Sequence, residues 1–132
     1  MKMVSTYLAT FFVFVVIDMV WLTLIARSTY AAEMGSLVRS QVNYQAAVAF
    51  YLLYAAGLMY FAVLPALASG SILQALLLGA GLGLVAYGTY DLTALAVING
   101  FGTKIALIDL AWGTVLSGVS AALASTIVSR FS

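Results

Sequence analysis

The sequence contains no cysteine and no histidine, and only 7% of its 132 residues are charged. Without these two side chains the protein cannot form a disulfide, attack through a thiolate, ligate haem through Cys or His, or build a typical zinc site. The formal net charge is +1, which argues against a basic surface of the kind that binds nucleic acid. The scarcity of charge also excludes an ordinary soluble domain, in which about 25% of residues are charged.

Hydrophobic residues make up 65% of the chain and are concentrated in four segments. The segments cover about 4–26, 46–66, 72–98 and 105–128. Each can cross a bilayer as a helix, which takes about 20 apolar residues, and all are too long for the strands of a membrane barrel. The connections around Pro65 and after Asn99 are short, so consecutive helices should be antiparallel neighbours. The sequence therefore predicts an all-α integral membrane bundle of four transmembrane helices, forming a single domain over residues 1–132.

The first segment and the stretch after it need separate interpretation. The segment begins after Lys2, as a secretion signal would, but it is longer than a usual signal core, which favours an uncleaved first helix. The polar stretch from Arg27 to Gln45 carries apolar residues at near-helical spacing. It is either a short amphipathic helix on the membrane surface or an irregular loop.

Three aspartates, Asp18, Asp91 and Asp109, lie inside the apolar segments. A carboxylate near the bilayer centre costs about 2.5–3.5 kcal/mol on insertion scales. With a rise of 1.5 Å per residue, the three lie roughly 13, 12 and 8 Å from the same membrane side. Asp109, the shallowest, is equally well explained by contact with interfacial water. We nevertheless expect the three carboxyl groups to converge in one layer of the bundle as an ion- or substrate-binding site.

Small residues share a helix face with two of these aspartates. On the third segment the face consists of Gly79, Gly83, Tyr87 and Asp91, and on the fourth it consists of Asp109, Gly113, Ser117 and Ala121. Because small residues let helices approach closely, these faces should point into the bundle and not toward lipid.

Aromatic and hydroxyl side chains at a similar depth complete a predicted acidic and aromatic pocket. The stretch from Ile17 to Trp21 is echoed from Ile108 to Trp112, so that each Trp follows an Asp by three residues. We interpret this echo as two helices that serve the same local function and not as an inverted repeat. An inverted repeat would place the two aspartates nearest opposite membrane sides. Trp and Tyr at such depths also serve as interfacial anchors. The residues predicted to line the pocket with the three aspartates are Trp21, Tyr87, Tyr90, Thr93, Trp112 and Thr114.

Four stretches of the chain resemble a family of bacterial inner-membrane proteins catalogued as domain of unknown function 2177. They are Asp18-Met19-Val20-Trp21-Leu22, Phe50-Tyr51-Leu52-Leu53-Tyr54, Ala86-Tyr87-Gly88-Thr89-Tyr90-Asp91-Leu92-Thr93 and Asp109-Leu110-Ala111-Trp112-Gly113-Thr114. The resemblance covers nearly the whole chain and implies a multi-pass protein of the bacterial inner membrane. The family carries no established activity, so the resemblance leaves the mechanism open.

Three functions are compatible with these residues. The first is proton- or cation-linked transport of a small molecule, in which clustered carboxylates exchange protons as the substrate comes and goes. The second is a membrane enzyme acting on a lipid or isoprenoid, with the aspartates holding Mg²⁺ or protonating an apolar substrate. The third is an accessory subunit of a larger membrane complex. The lipid bilayer is the expected environment, and a homo-oligomer or a membrane-complex partner is expected because four short helices rarely enclose a transport path. The residues leave cofactor, metal and catalytic groups undetermined.

Overall fold

The computed structural model describes residues 2–26 and 43–131 and places nearly all of them in four long helices. Helix α1 spans Lys2–Val20 and continues as a π-helical turn, Trp21–Ala26; α2 spans Tyr44–Ser69, α3 Ile72–Val97 and α4 Thr103–Phe131. All four are long and apolar enough to cross a membrane, which confirms the predicted all-α four-helix membrane bundle. The surface helix or loop expected after Arg27 falls in residues 27–42, outside the described residues.

The connection between α2 and α3 is a tight turn, and side chains mark where α2 and α3 begin. Asn43 and Ser71 each accept a hydrogen bond of 3.1 Å from the backbone N–H three residues further on, which caps the first turn of the helix that follows. Gly70 has a φ of 72°, in the left-handed region that glycine adopts without strain. The short connection makes α2 and α3 antiparallel.

Helix α2 contains a π-helical turn, Met59–Val63, which ends two residues before Pro65. Proline has no backbone N–H, and its ring crowds the carbonyl group four residues earlier. In the wider turn the Leu64 N–H bonds to the carbonyl oxygen of Met59, five residues back. The helix thereby accommodates the proline and continues to Ser69, beyond the predicted end of the span at residue 66.

Helices α3 and α4 form the most closely packed pair. A Cβ atom placed on Gly79 would lie 2.6 Å from the carbonyl oxygen of Ser117, and one placed on Gly83 would lie 2.3 Å from that of Gly113. The two small-residue faces therefore pack against each other, and both point into the bundle, as predicted. Helix α1 packs against α4 and α2, and the second half of α2 packs against α3.

Apolar side chains fill the centre of the bundle and also cover its outside. Phe14, Leu58 and Leu116 are fully buried, whereas Leu53 and Val85 are 75% and 68% exposed. Such a surface is matched to hydrocarbon and not to water. The polar groups described next are thus enclosed by a shell that faces lipid.

Candidate functional site

All four helices contribute to one pocket, located where α1 and α3 end and α2 and α4 begin. Its volume is about 610 Å³, within the range typical of small-molecule sites. The carboxyl groups of Asp18 and Asp109 line it together with apolar and aromatic side chains. These are Trp21, Leu22, Phe50, Tyr54, Ala86, Tyr87, Tyr90 and Trp112.

Asp18 is held by two hydrogen-bond donors from other helices. The Tyr51 hydroxyl of α2 donates to Oδ2 at 2.5 Å, and the Trp112 indole Nε1 of α4 donates to Oδ1 at 3.0 Å. The side chain is only 7% exposed, so without these bonds its burial would be costly. Because both partners are neutral, they orient the carboxyl group without supplying a countercharge. They also connect α1 to α2 and α4.

The two tryptophans of the chain stack against each other in the pocket wall. The ring centroids of Trp21 and Trp112 are 4.4 Å apart, and the ring planes differ by 9°. The two echoed sequence stretches therefore meet in space, with Trp112 contacting both Trp21 and Asp18. Stacking covers one face of each indole with the other ring, and the outer faces, like those of other aromatic rings, carry partial negative charge.

A second aromatic wall is built from α2 and α3. The Tyr87 ring lies edge-to-face against Phe50 and Tyr54, with centroid distances of 6.5 and 5.9 Å. The Tyr54 hydroxyl shares a hydrogen bond of 2.7 Å with Ser117 Oγ of α4, which fixes the tyrosine ring. A Cβ atom on Gly113 would come within 2.1 Å of the Tyr87 ring. Glycine at that position therefore makes room for this wall.

Asp91 does not line the pocket and lies on the side of α3 that faces α4. It is fully buried, and neither carboxyl oxygen has a hydrogen-bond partner among the described residues. Asp109 is close enough for the two carboxyl groups to interact electrostatically. Two carboxylates held close together repel each other, so a positive charge next to this pair is electrostatically favourable.

The family model described as "Predicted membrane protein (DUF2177)" matches residues 3–126. The chain belongs to this family. The match, together with the four candidate spans, establishes a multi-pass membrane protein. No curated protein and no solved structure matches the chain. The DUF2177 match contains the whole pocket and all three aspartates of the helices.

Most of the site residues predicted from the sequence line the pocket of this DUF2177 protein. They are Asp18, Trp21, Tyr87, Tyr90, Asp109 and Trp112. Thr93 instead is exposed in a shallow outer groove beside Leu92, because two residues along a helix turn a side chain away from Asp91. Thr114 donates its hydroxyl to the Leu110 carbonyl oxygen of its own helix at 2.9 Å. The structure does not bring these two threonines into the pocket.

The residues that the sequence interpretation missed lie on α2, which carries no charged side chain. Tyr51 supplies a donor to Asp18, and Phe50 and Tyr54 line the pocket. Their clustering within one helical turn was a usable signal, since residues three and four apart share a helix face. A tyrosine hydroxyl at mid-depth in an otherwise apolar helix also usually donates a hydrogen bond to a polar group of another helix.

In residues 2–26 and 43–131, no three acidic side chains come close enough together to hold a metal ion. Asp18 already accepts two hydrogen bonds, and Asp91 and Asp109 interact as a pair. Hard divalent cations take about six or more oxygen ligands, which include water and backbone carbonyl groups as well as carboxylates.

Proposed function

We propose that this protein carries out proton- or cation-linked transport of a small molecule across the bacterial inner membrane. The observation that carries the proposal is that Asp18 and Asp109, from the first and last helices, line one pocket inside a membrane-spanning bundle. Ionisable groups at such a position are costly and commonly mark ion or substrate pathways. Because the pocket occupies one half of a small bundle, the proposed transporter works as a homo-oligomer or with a membrane-complex partner.

In this proposal Asp18 anchors the transported molecule. Its hydrogen bonds to Tyr51 and Trp112 fix its position but leave its charge unbalanced. A positively charged group in the pocket can supply the missing countercharge, while the stacked Trp21 and Trp112 rings provide a flat contact surface.

Asp91 and Asp109 are the proposed proton-exchange pair. Asp109 lines the pocket, whereas Asp91 does not line it and is fully buried. A cation that arrives beside Asp109 stabilises the ionised form of the pair and displaces a proton, and its departure favours the return of the proton. Binding of the proton and binding of the transported cation therefore oppose each other. By thermodynamic linkage, each lowers the affinity of the pair for the other by the same factor.

Exchange can be measured in proteoliposomes that enclose a pH-sensitive dye. A panel of inorganic cations and small organic amines is added outside, and release or uptake of protons is recorded. We expect the wild-type protein to respond to at least one compound, and Asp18→Asn, Asp91→Asn and Asp109→Asn to abolish the response. Thr93→Val is the matched control, because Thr93 is exposed outside the pocket. No exchange with any compound, or undiminished exchange in the aspartate variants, contradicts the proposal.

A membrane enzyme acting on a lipid or isoprenoid is the second candidate. It is favoured by an apolar groove of about 470 Å³ on the outer face between α2 and α3, which shares Phe50, Tyr54 and Ala86 with the pocket. An apolar chain in this groove would bring its end to Asp18 or Asp109, which could act as an acid. Incubation with lipid extracts, followed by mass spectrometry, tests this candidate. A product that forms with the wild type and not with Asp109→Asn would favour it over transport.

A further inference from the structure

Helices α2 and α3 diverge at the level of the pocket. The π-helical turn Met59–Val63 packs against α3, whereas the preceding part of α2, Tyr44–Leu58, makes few close backbone contacts with it. The gap is closed by side chains, because Phe50 and Tyr54 reach across to the ring of Tyr87. Side-chain rotations are fast compared with movements of whole helices. The gap can therefore open without separating the helices further.

An apolar groove on the outer surface meets the pocket at this gap. The groove is lined by Phe50, Leu53, Tyr54, Ala56, Gly57, Tyr60, Phe61, Leu82 and Ala86. Phe50, Tyr54 and Ala86 line the pocket as well, so the same side chains form the boundary between the two spaces. Leu53 and Tyr60 are 75% and 66% exposed on the outer side. In a bilayer the groove is thus open to hydrocarbon on one side and borders the pocket on the other.

The pocket and the groove differ in chemistry. The groove lining is apolar and aromatic, whereas the pocket adds the carboxyl groups of Asp18 and Asp109 and the indole faces of Trp21 and Trp112. Among the described residues that line the pocket, none is basic. Carboxylates attract cations, and the face of an aromatic ring attracts them as well. The complementary ligand has an apolar body and one positive charge.

We infer that the protein takes a lipophilic organic cation directly from the bilayer, through the gap between α2 and α3, and holds its charge at Asp18 and Asp109. This inference rests on the proposed function and adds the substrate class and the access route. During entry the apolar body remains in contact with lipid or with the apolar side chains of the groove, and the charged group comes to lie beside the carboxyl groups.

Charge selectivity can be tested with tetraphenylphosphonium and with tetraphenylborate, an anion of the same shape. Protein in lipid nanodiscs is titrated with each ion, and empty nanodiscs correct for partitioning into lipid. Trp21 and Trp112 are the only tryptophans of the chain and both line the pocket, so tryptophan fluorescence reports binding at that place.

We expect saturable binding of the cation and not of the anion. Asp109→Asn and Asp18→Asn should each weaken cation binding about tenfold or more, equivalent to about 1.4 kcal/mol. Equal binding of the anion, no saturable binding of the cation, or cation binding that is unchanged in both variants overturns the substrate class.

The access route can be tested at Gly57 in the groove wall. A Cβ atom there would meet nothing within 4 Å, so Gly57→Leu fills the groove without disturbing the helices. Gly81→Leu is the matched control, because Gly81 is equally open and lines neither the groove nor the pocket. We expect Gly57→Leu to slow association and dissociation of tetraphenylphosphonium by the same factor, several-fold, at unchanged Kd, since the obstruction acts on the path and not on the bound state. Equal rates in the two variants overturn the lateral route.

The results separate this inference from the transport proposal. Saturable binding of tetraphenylphosphonium that depends on Asp18 and Asp109, without proton-linked uptake, supports the ligand class and contradicts transport. Proton-linked transport of another solute, without binding of tetraphenylphosphonium, supports transport and overturns the inference.

Discussion

A methyl group at Gly83 tests the α3–α4 packing on which the site depends. In Gly83→Ala the Cβ atom would lie 2.3 Å from the Gly113 carbonyl oxygen and 2.7 Å from Ser117 Oγ. The serine hydroxyl can rotate, but the carbonyl oxygen belongs to the backbone of α4. Restoring an ordinary contact of 3.4 Å therefore requires the two helices to separate by about 1 Å.

The cost of this change follows from the opposing effects of packing and helix propensity. Overpacking of a close interface costs about 1–3 kcal/mol, and the gain from replacing glycine by alanine in a helix offsets at most about 1 kcal/mol. We expect Gly83→Ala to lower the free energy of unfolding by about 1–2 kcal/mol. Gly81→Ala is the control on the same helix, because its Cβ would meet nothing within 4 Å. Its stability should be unchanged or higher by up to about 1 kcal/mol.

Reversible unfolding in bicelles, followed by tryptophan fluorescence, measures both variants against the wild type. The signal comes from Trp21 and Trp112, so it also reports whether the pocket is disturbed. If Gly83→Ala is as stable as Gly81→Ala, α3 and α4 are not packed as closely as the structure indicates, and the positions assigned to Asp91 and Asp109 lose their support.

Two further changes test the surroundings of Asp18. Tyr51→Phe leaves Asp18 with one hydrogen-bond donor fewer and should lower the free energy of unfolding by about 1–3 kcal/mol. The control Tyr7→Phe removes an exposed bond to a backbone carbonyl and should lower it by less than about 1 kcal/mol. Equal losses in the two variants would contradict the role of Tyr51. Trp112→Phe removes both the indole donor to Asp18 and the stacking partner of Trp21. The remaining fluorescence comes from Trp21, which should be more solvated and emit at longer wavelength. An unshifted spectrum would contradict the stacked arrangement.

The features that sequence alone predicted are those that depend on one helix at a time. The scarcity of charge and the length of the apolar segments predicted four spans, and the spacing of Gly79 and Gly83 predicted the face of α3 that packs on α4. Depth along a helix also follows from residue number, which is why Asp18 and Asp109 could be placed in one layer.

The rotational setting of α2 could not be predicted in the same way. This helix is apolar on all sides, so no hydrophobic face indicates which residues point inward. The bond between Tyr51 and Asp18 joins residues 33 positions apart and depends on that rotation. Thr93 shows that depth alone does not place a residue in the pocket. It lies at nearly the depth of Asp91 but on the opposite side of α3.

The contacts also determine which part of the bundle is rigid and where the gap can open. Movement of α3 against α4 would have to displace the backbone contacts at Gly79 and Gly83, and such close interfaces are rigid. The first part of α2, by contrast, contacts α3 through the rings of Phe50 and Tyr54 with few close backbone contacts, and it is tied to α1 through the bond from Tyr51 to Asp18. Asp18 can hold a cation and keep the bond from Tyr51, because a carboxylate has about four acceptor positions and the bonds from Tyr51 and Trp112 occupy only two of them. Rotation of the rings can therefore open the gap toward α3 while α2 stays tied to α1.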